Sequence, residues 1–168
     1  MKKSCAIFIL FFALILNVNA QQTSKVDIQF PHNFKLGQQD FLKNHQLMPV
    51  SYLKEYGYKL SSNPETIKDE RKLYFITEFE VEDISQVYYE IYSEKSTPDE
   101  ESFSIVVAEF KTEKSLIKNL SSLELADTRI ASYFVVSKYV IIIRGDRTAS
   151  IAVGDFYIKT LHAKYYQP

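Results

Sequence analysis

The 168-residue chain has one cysteine, four scattered glycines and no tryptophan. Its cysteine, Cys5, lies inside the apolar run Cys5 to Leu16 near the start. Beyond residue 20 there is none, which excludes disulfides, thiolate metal sites and a cysteine nucleophile from that portion. Four ungrouped glycines supply no Gly-rich loop to cradle a phosphate. A basic surplus is lacking as well. With Lys2 and Lys3 set aside, 18 Lys and Arg face 21 Asp and Glu, a net charge of −3. That balance does not suit a nucleic-acid binder, and no run of like charge forms a tail.

The first twenty residues read as a segment outside the fold. Lys2 and Lys3 give a basic start, the apolar run follows, and Val18-Asn19-Ala20 has the small-residue spacing of a cleavage site. This layout predicts a cleaved secretory signal over residues 1–20. The run is too short for a membrane span, which needs roughly 20 residues. The remainder, 21–168, is one ordinary domain in length. Export to a periplasm or to the cell exterior is therefore expected, with no membrane span after cleavage. Gln21-Gln22 after an Ala-ending segment, with abundant Lys, Asn, Ile and Tyr, resembles the composition of small secreted proteins of Bacteroidota. That resemblance implies no function.

What the chain does have is aromatic and β-branched residues: 12 Tyr and 12 Phe. These favour strands. Val26 to Phe30 alternates and stops at Pro31, predicting a first strand. Gln38 to Met48 and Val50 to Leu60 read as weak helices, and Ser61 to Arg71 as a surface loop with an Asn63-Pro64 turn. Leu73 to Val81 reads as a strand. Glu82 to Lys95 fits either a helix or a strand. Its Tyr and β-branched content favours the strand, with Asp83-Ile84-Ser85 as the turn of a hairpin. Ser96 to Ser102 is a loop and Phe103 to Phe110 a strand. Thr112 then caps a helix carrying Leu116, Ile117, Leu120 and Leu123 on one face. Ile130 to Val136 and Lys138 to Arg144 form a hairpin around Ser137-Lys138.

Arg144-Gly145-Asp146 is a tripeptide that adhesion receptors read. Its local setting explains it otherwise. Val140 to Ile143 is a buried strand, Gly145 frees the backbone where it stops, and Asp146 caps a helix running to about Tyr165. A rival parse continues the strand through Ile151-Ala152-Val153 and starts the helix at Asp155. The adjacent strand pairs, without regular βα alternation, predict an α+β fold: a mostly antiparallel β-sheet with two to three helices packed on one face.

Chemistry-bearing patterns are sparse. There is no Gly-x-Ser-x-Gly elbow and no Ser-x-x-Lys with a second signature. His32, His45 and His162 lie far apart, without metal-pair spacing, and His162 reads as a partly buried ring on the last helix. Glu78, Glu80, Glu82 and Asp83 alternate along a predicted strand. Asp99, Glu100 and Glu101 sit in a loop without a calcium-loop layout. Asn119-Leu120-Ser121 matches a glycosylation acceptor. No catalytic residue, cofactor or metal site is assigned. The distinctive group is Tyr88, Glu90 and Tyr92. As a strand, the segment places these three on one face, two phenols flanking a carboxylate, and so predicts a binding surface. The expectation is a small binding or accessory protein of a bacterial cell envelope, without catalytic activity, whose partner is an unknown protein or small molecule. The alternatives are an acid-based hydrolase of a cell-wall or glycan substrate and a carrier of an apolar small molecule.

Overall fold

A computed structural model describes residues 26–167 except 38, 50, 53–61, 71–72, 74–76, 78–80 and 125–130. Its framework is an antiparallel sheet of seven strands among the described residues: β1 (His45–Leu47), β2 (Glu65–Ile67), β3 (Ile84–Glu94), β4 (Glu101–Phe110), β5 (Ala131–Val136), β6 (Tyr139–Gly145) and β7 (Lys164–Tyr166). Helix α1 (Glu113–Glu124) follows β4, and helix α2 (Arg147–Leu161) follows β6. The spatial order is β1-β3-β4-β6-β5-β7, with β2 also paired to β3. The α+β class and the antiparallel sheet agree with the sequence reading.

The helices do not share a face. Leu116 of α1 packs with Val87, Tyr89, Val106, Val140 and Ile142 in one core. Ala149, Val153 and Tyr157 of α2 pack with Tyr88, Ile105, Ile141 and Ile143 in another. Alternate residues of the same strands feed opposite cores, so the one-face arrangement is corrected: α1 lies on one side of the sheet and α2 on the other. The central strands β4 and β6 are accordingly buried on both faces.

The long strands arise where Tyr and β-branched residues concentrate. Glu82 to Lys95 is resolved as the strand β3, although β3 already begins at Ile84, so Asp83-Ile84-Ser85 is not a hairpin turn. Thr112 caps α1 as expected, its Oγ1 accepting from the Ser115 amide at 3.0 Å. The β5–β6 hairpin turns at Ser137, whose φ is +51°.

Asp146 caps α2. Its Oδ1 accepts from the Ala149 amide at 2.8 Å, and its own amide donates to the Ser102 carbonyl at 2.8 Å. The helix runs through Ile151–Val153, against the rival parse, and ends at His162. That residue is an exposed left-handed C-cap at φ +54°, not a buried ring. Its backbone ends the helix, so its side chain is turned out of the apolar stripe.

Four other expectations are corrected. Val26 to Phe30 forms no strand. Its alternation records an extended segment whose Val26, Ile28 and Phe30 pack against the α2-side core without a ladder partner. Gln38 to Met48 is no helix but a short 3-10 turn, Asp40–Leu42, followed by β1. The predicted loop after Ser61 contains β2. Leu73 and Thr77, expected in a strand, are helical and both buried, and the Thr77 hydroxyl donates to the Leu73 carbonyl one turn back at 2.9 Å. Spacing of four places both on one helical face. The predicted helix Val50 to Leu60 lies almost wholly outside the described residues, as do Glu78 and Glu80.

A side chain completes the sheet edge. Asn63 accepts from the Ile91 amide at 3.1 Å and donates to the Ile91 carbonyl at 2.7 Å. Its amide nitrogen also reaches the Met48 carbonyl at 2.9 Å. The Asn63 amide thus stands in for a strand residue between β1 and β2, where Ile91 would otherwise lack a complete partner.

Candidate ligand cleft over Glu90

The period-two geometry of β3 brings Tyr88, Glu90 and Tyr92 to the α2 side, as the sequence predicts. They are not on open surface, however. The segment before β1, which makes a 3-10 turn at His32–Phe34, lies across them, placing the fully buried Phe34 and Leu36 in the same core. Glu90 is only 3% exposed. Three donors meet its carboxylate: the Tyr88 hydroxyl at 2.5 Å, the Tyr92 hydroxyl at 3.0 Å and the Leu36 amide at 3.4 Å. A buried carboxylate is costly unless hydrogen bonds replace its water. Burial still dominates and pushes the Glu90 carboxyl above the ordinary range, opposed by Tyr88, Tyr92, the Leu36 amide and the charge of Lys35. Burial and the adjacent Glu90 hold both phenols far above the usual tyrosine range, so they remain donors.

Contacts with α2 and with Tyr139 fix the covering segment. The buried Tyr157 hydroxyl on α2 donates to the Phe34 carbonyl at 2.5 Å. The Phe34 ring lies 5.0 Å from Tyr139, against which Phe30 stacks at 5.7 Å.

Glu90 and Tyr92 nevertheless line an open cleft of about 860 Å³, with Tyr88 behind them. Lys43, His45 and Lys95 stand on its rim, and Lys95 donates to the Lys43 carbonyl at 2.8 Å. Tyr92 stacks on Phe103 at 4.8 Å, and His45 meets the same ring edge-on at 5.2 Å. The floor is thus an acid held by phenols, and the rim is cationic. A ligand with hydroxyl, ammonium or carboxylate groups finds partners there, and the volume is that of an ordinary small-molecule site.

One pair escaped the sequence reading. His45 Nε2 and Ser102 Oγ are 3.2 Å apart, although 57 residues separate them in the chain. The neighbouring Nδ1 is buried and has no hydrogen-bond partner among the described residues. A serine nucleophile needs Nε2 free to accept and Nδ1–H held by an acceptor. Here that tautomer would strand a buried N–H, the rarer and costlier defect. The favoured tautomer donates from Nε2 to Ser102, which keeps its own proton.

The acidic groups do not converge on the cleft. Glu82 is exposed, while Asp83 accepts from Asn119 at 2.8 Å and joins the start of β3 to α1. Asp99 and Glu100 are exposed in the turn before β4. Glu101 begins β4. Burial raises its carboxyl above the ordinary range, against a hydrogen bond from Ser104 and the charge of Arg144. Among the described residues no three His, Cys, Asp or Glu side chains are grouped to hold a metal. Asn119, the glycosylation match, is buried, and its amide nitrogen also reaches the Ser115 carbonyl at 2.8 Å. No protein-family model matches this chain, and no curated protein or solved structure matches it either.

Proposed function

We propose that the protein is an exported binding or accessory module of a bacterial cell envelope, taking a small polar ligand in the cleft over Glu90. The observation that carries this reading is the cleft itself: a buried carboxylate and phenol at its floor beneath the rim cations Lys43 and Lys95, with His45 beside them. Export rests on the pattern of residues 1–20. Among the described residues no helix is long and apolar enough to cross a membrane.

The lining favours binding over the two alternatives. Glycoside hydrolysis uses a pair of carboxyl groups separated by roughly 5–9.5 Å, and Glu90 is the one acid among the cleft's described lining residues. A carrier of apolar molecules would need a closed apolar pocket, whereas this cleft is open and mixed.

The test is a titration of the 15N-labelled protein with chito-oligosaccharides and with D-alanyl-D-alanine, as probes of the glycan and peptide classes. Binding in the cleft should shift the amides of His45 to Leu47 and Glu90 to Lys95, and Lys95→Glu should alter the affinity. No shift at about 10 mM of either probe, well above a millimolar dissociation constant, would remove support for the cleft. Release of cleaved product would replace the binding reading with the hydrolase. Intact mass of the protein from its host tests export, with Gln21 as the expected first residue.

A further inference from the structure

Six large apolar side chains are exposed among the described residues, and three of them line a single groove: Ile151 at 60%, Ile158 at 42% and Tyr165 at 56%. The groove holds about 560 Å³ between α2 and the strands β5 to β7, with Phe134 and Ile143 in its lining. It lies apart from the cleft over Glu90. Exposed apolar side chains scattered singly need no explanation, but a concentration in one groove marks an interaction site.

The charges say what covers it. Arg147 lies four residues before Ile151 and Asp155 four after it, and both are exposed and line the groove. At 3.6 residues per turn, Arg147, Ile151, Asp155 and Ile158 fall within an arc of about 80°. The stripe therefore has a cation toward one end, an anion toward the other and isoleucine between them. A two-fold axis passing beside Ile151 sets two such helices antiparallel. Residues equally spaced before and after Ile151 then oppose each other across the axis. Arg147 of each copy meets Asp155 of the other, while Ile151 meets its own counterpart. A parallel pairing would instead set like charges together. Asp155 already contacts Lys159 at 3.4 Å, but this is an exposed pair one turn apart, of a kind that holds its partners weakly.

We infer that α2 is a self-association face. Two copies of the chain pair antiparallel about Ile151, with two reciprocal Arg147–Asp155 contacts, to give a two-fold homodimer. This is the commonest closed symmetry among oligomers, and its apolar centre with charged flanks is the usual order of an interface.

Sedimentation equilibrium of the purified protein over a range of concentrations tests it. The wild type should show a monomer–dimer equilibrium. Ile151→Asp should shift it to monomer. Arg147→Asp and Asp155→Arg should each weaken association by about tenfold or more, since each turns two attractions into two repulsions. The double variant Arg147→Asp/Asp155→Arg should restore association. Folding is checked by circular dichroism. Arg147→Asp puts an acid in the first turn of α2, which suits the helix dipole, so its loss of dimer is not a loss of fold. A protein monomeric up to about 0.5 mM, a dimer indifferent to Ile151→Asp, or a double variant no better than the single ones would overturn the inference.

Discussion

Gly145→Ala should destabilise the protein far more than Gly37→Ala, although both glycines have positive φ. Gly145 sits at φ +108° and Gly37 at φ +60°. A Cβ on Gly145 would lie 2.7 Å from the Phe103 Cα and closer still to the Ser102 carbonyl oxygen. These are backbone atoms of β4, paired with β6 through Phe103 and Gly145. They cannot retreat without loosening the ladder and the bond from the Asp146 amide to Ser102. Strain at so rare a φ costs about 2 kcal/mol, and losing that hydrogen bond costs about 1 kcal/mol. The restricted unfolded chain of an alanine variant returns about 0.5 kcal/mol. The net loss is at least about 2.5 kcal/mol, or about 5–10 °C in Tm for a domain of this size. At Gly37 nothing lies within 4 Å of the added Cβ. Only the left-handed conformation opposes it, at about 1 kcal/mol. The unfolded-state gain is common to both variants, so the difference between them reports the clash together with the rarer φ at Gly145. Thermal melts by circular dichroism read it directly. A Tm for Gly145→Ala within about 2 °C of wild type would refute the reasoning and return Arg144-Gly145-Asp146 to a loosely held loop.

The same stretch shows what a sequence can say. Four β-branched residues, a glycine and an acid in series specify strand, stop and helix cap, and each is local chemistry. The period-two placement of Tyr88, Glu90 and Tyr92 on one face of β3 was legible for the same reason. Whether that face is covered was not, because the cover is the segment holding Phe34 and Leu36. Its course depends on tertiary contacts such as the one from Tyr157, 123 residues away from Phe34. Similarly, the hydrogen bond between His45 and Ser102 spans 57 residues, and no spacing rule announces it. Strands β1 and β2 are three residues each, too short for a period to register, and the Asn63 side chain does part of their pairing. One signal of the second helix layer is present in the sequence. Ile105 to Ala108 and Val140 to Ile143 are apolar at successive positions, which is the mark of strands buried on both faces. It implied helices on both sides of the sheet.

Three other outcomes follow from named contacts. Asp146→Ala should cost on the order of 1 kcal/mol in thermal or urea unfolding, whereas Asp146→Asn should cost only tenths, because the amide oxygen still accepts from Ala149; equal losses would exclude the cap. Tyr157→Phe leaves the buried Phe34 carbonyl without its donor and should cost about 1–3 kcal/mol in urea unfolding; an unchanged midpoint would mean that the covering segment is held without that bond. The last concerns pH. Burial raises the Glu90 carboxyl in the folded protein, so the folded state binds that proton more tightly than the unfolded chain does. Its stabilising contribution is then complete below the ordinary glutamate range, near pH 4.3, and is lost as pH climbs through the raised value. Glu90→Gln removes this titration but keeps an oxygen for one phenol. Glu101, raised in the same direction, is present in both proteins and cancels. Wild-type stability minus that of Glu90→Gln, from urea midpoints, should therefore fall as pH rises from about 4 toward neutrality and then level off. A difference that stays flat or grows over that interval would mean that the three donors, and not burial, set the charge of Glu90, and that the cleft floor is anionic throughout.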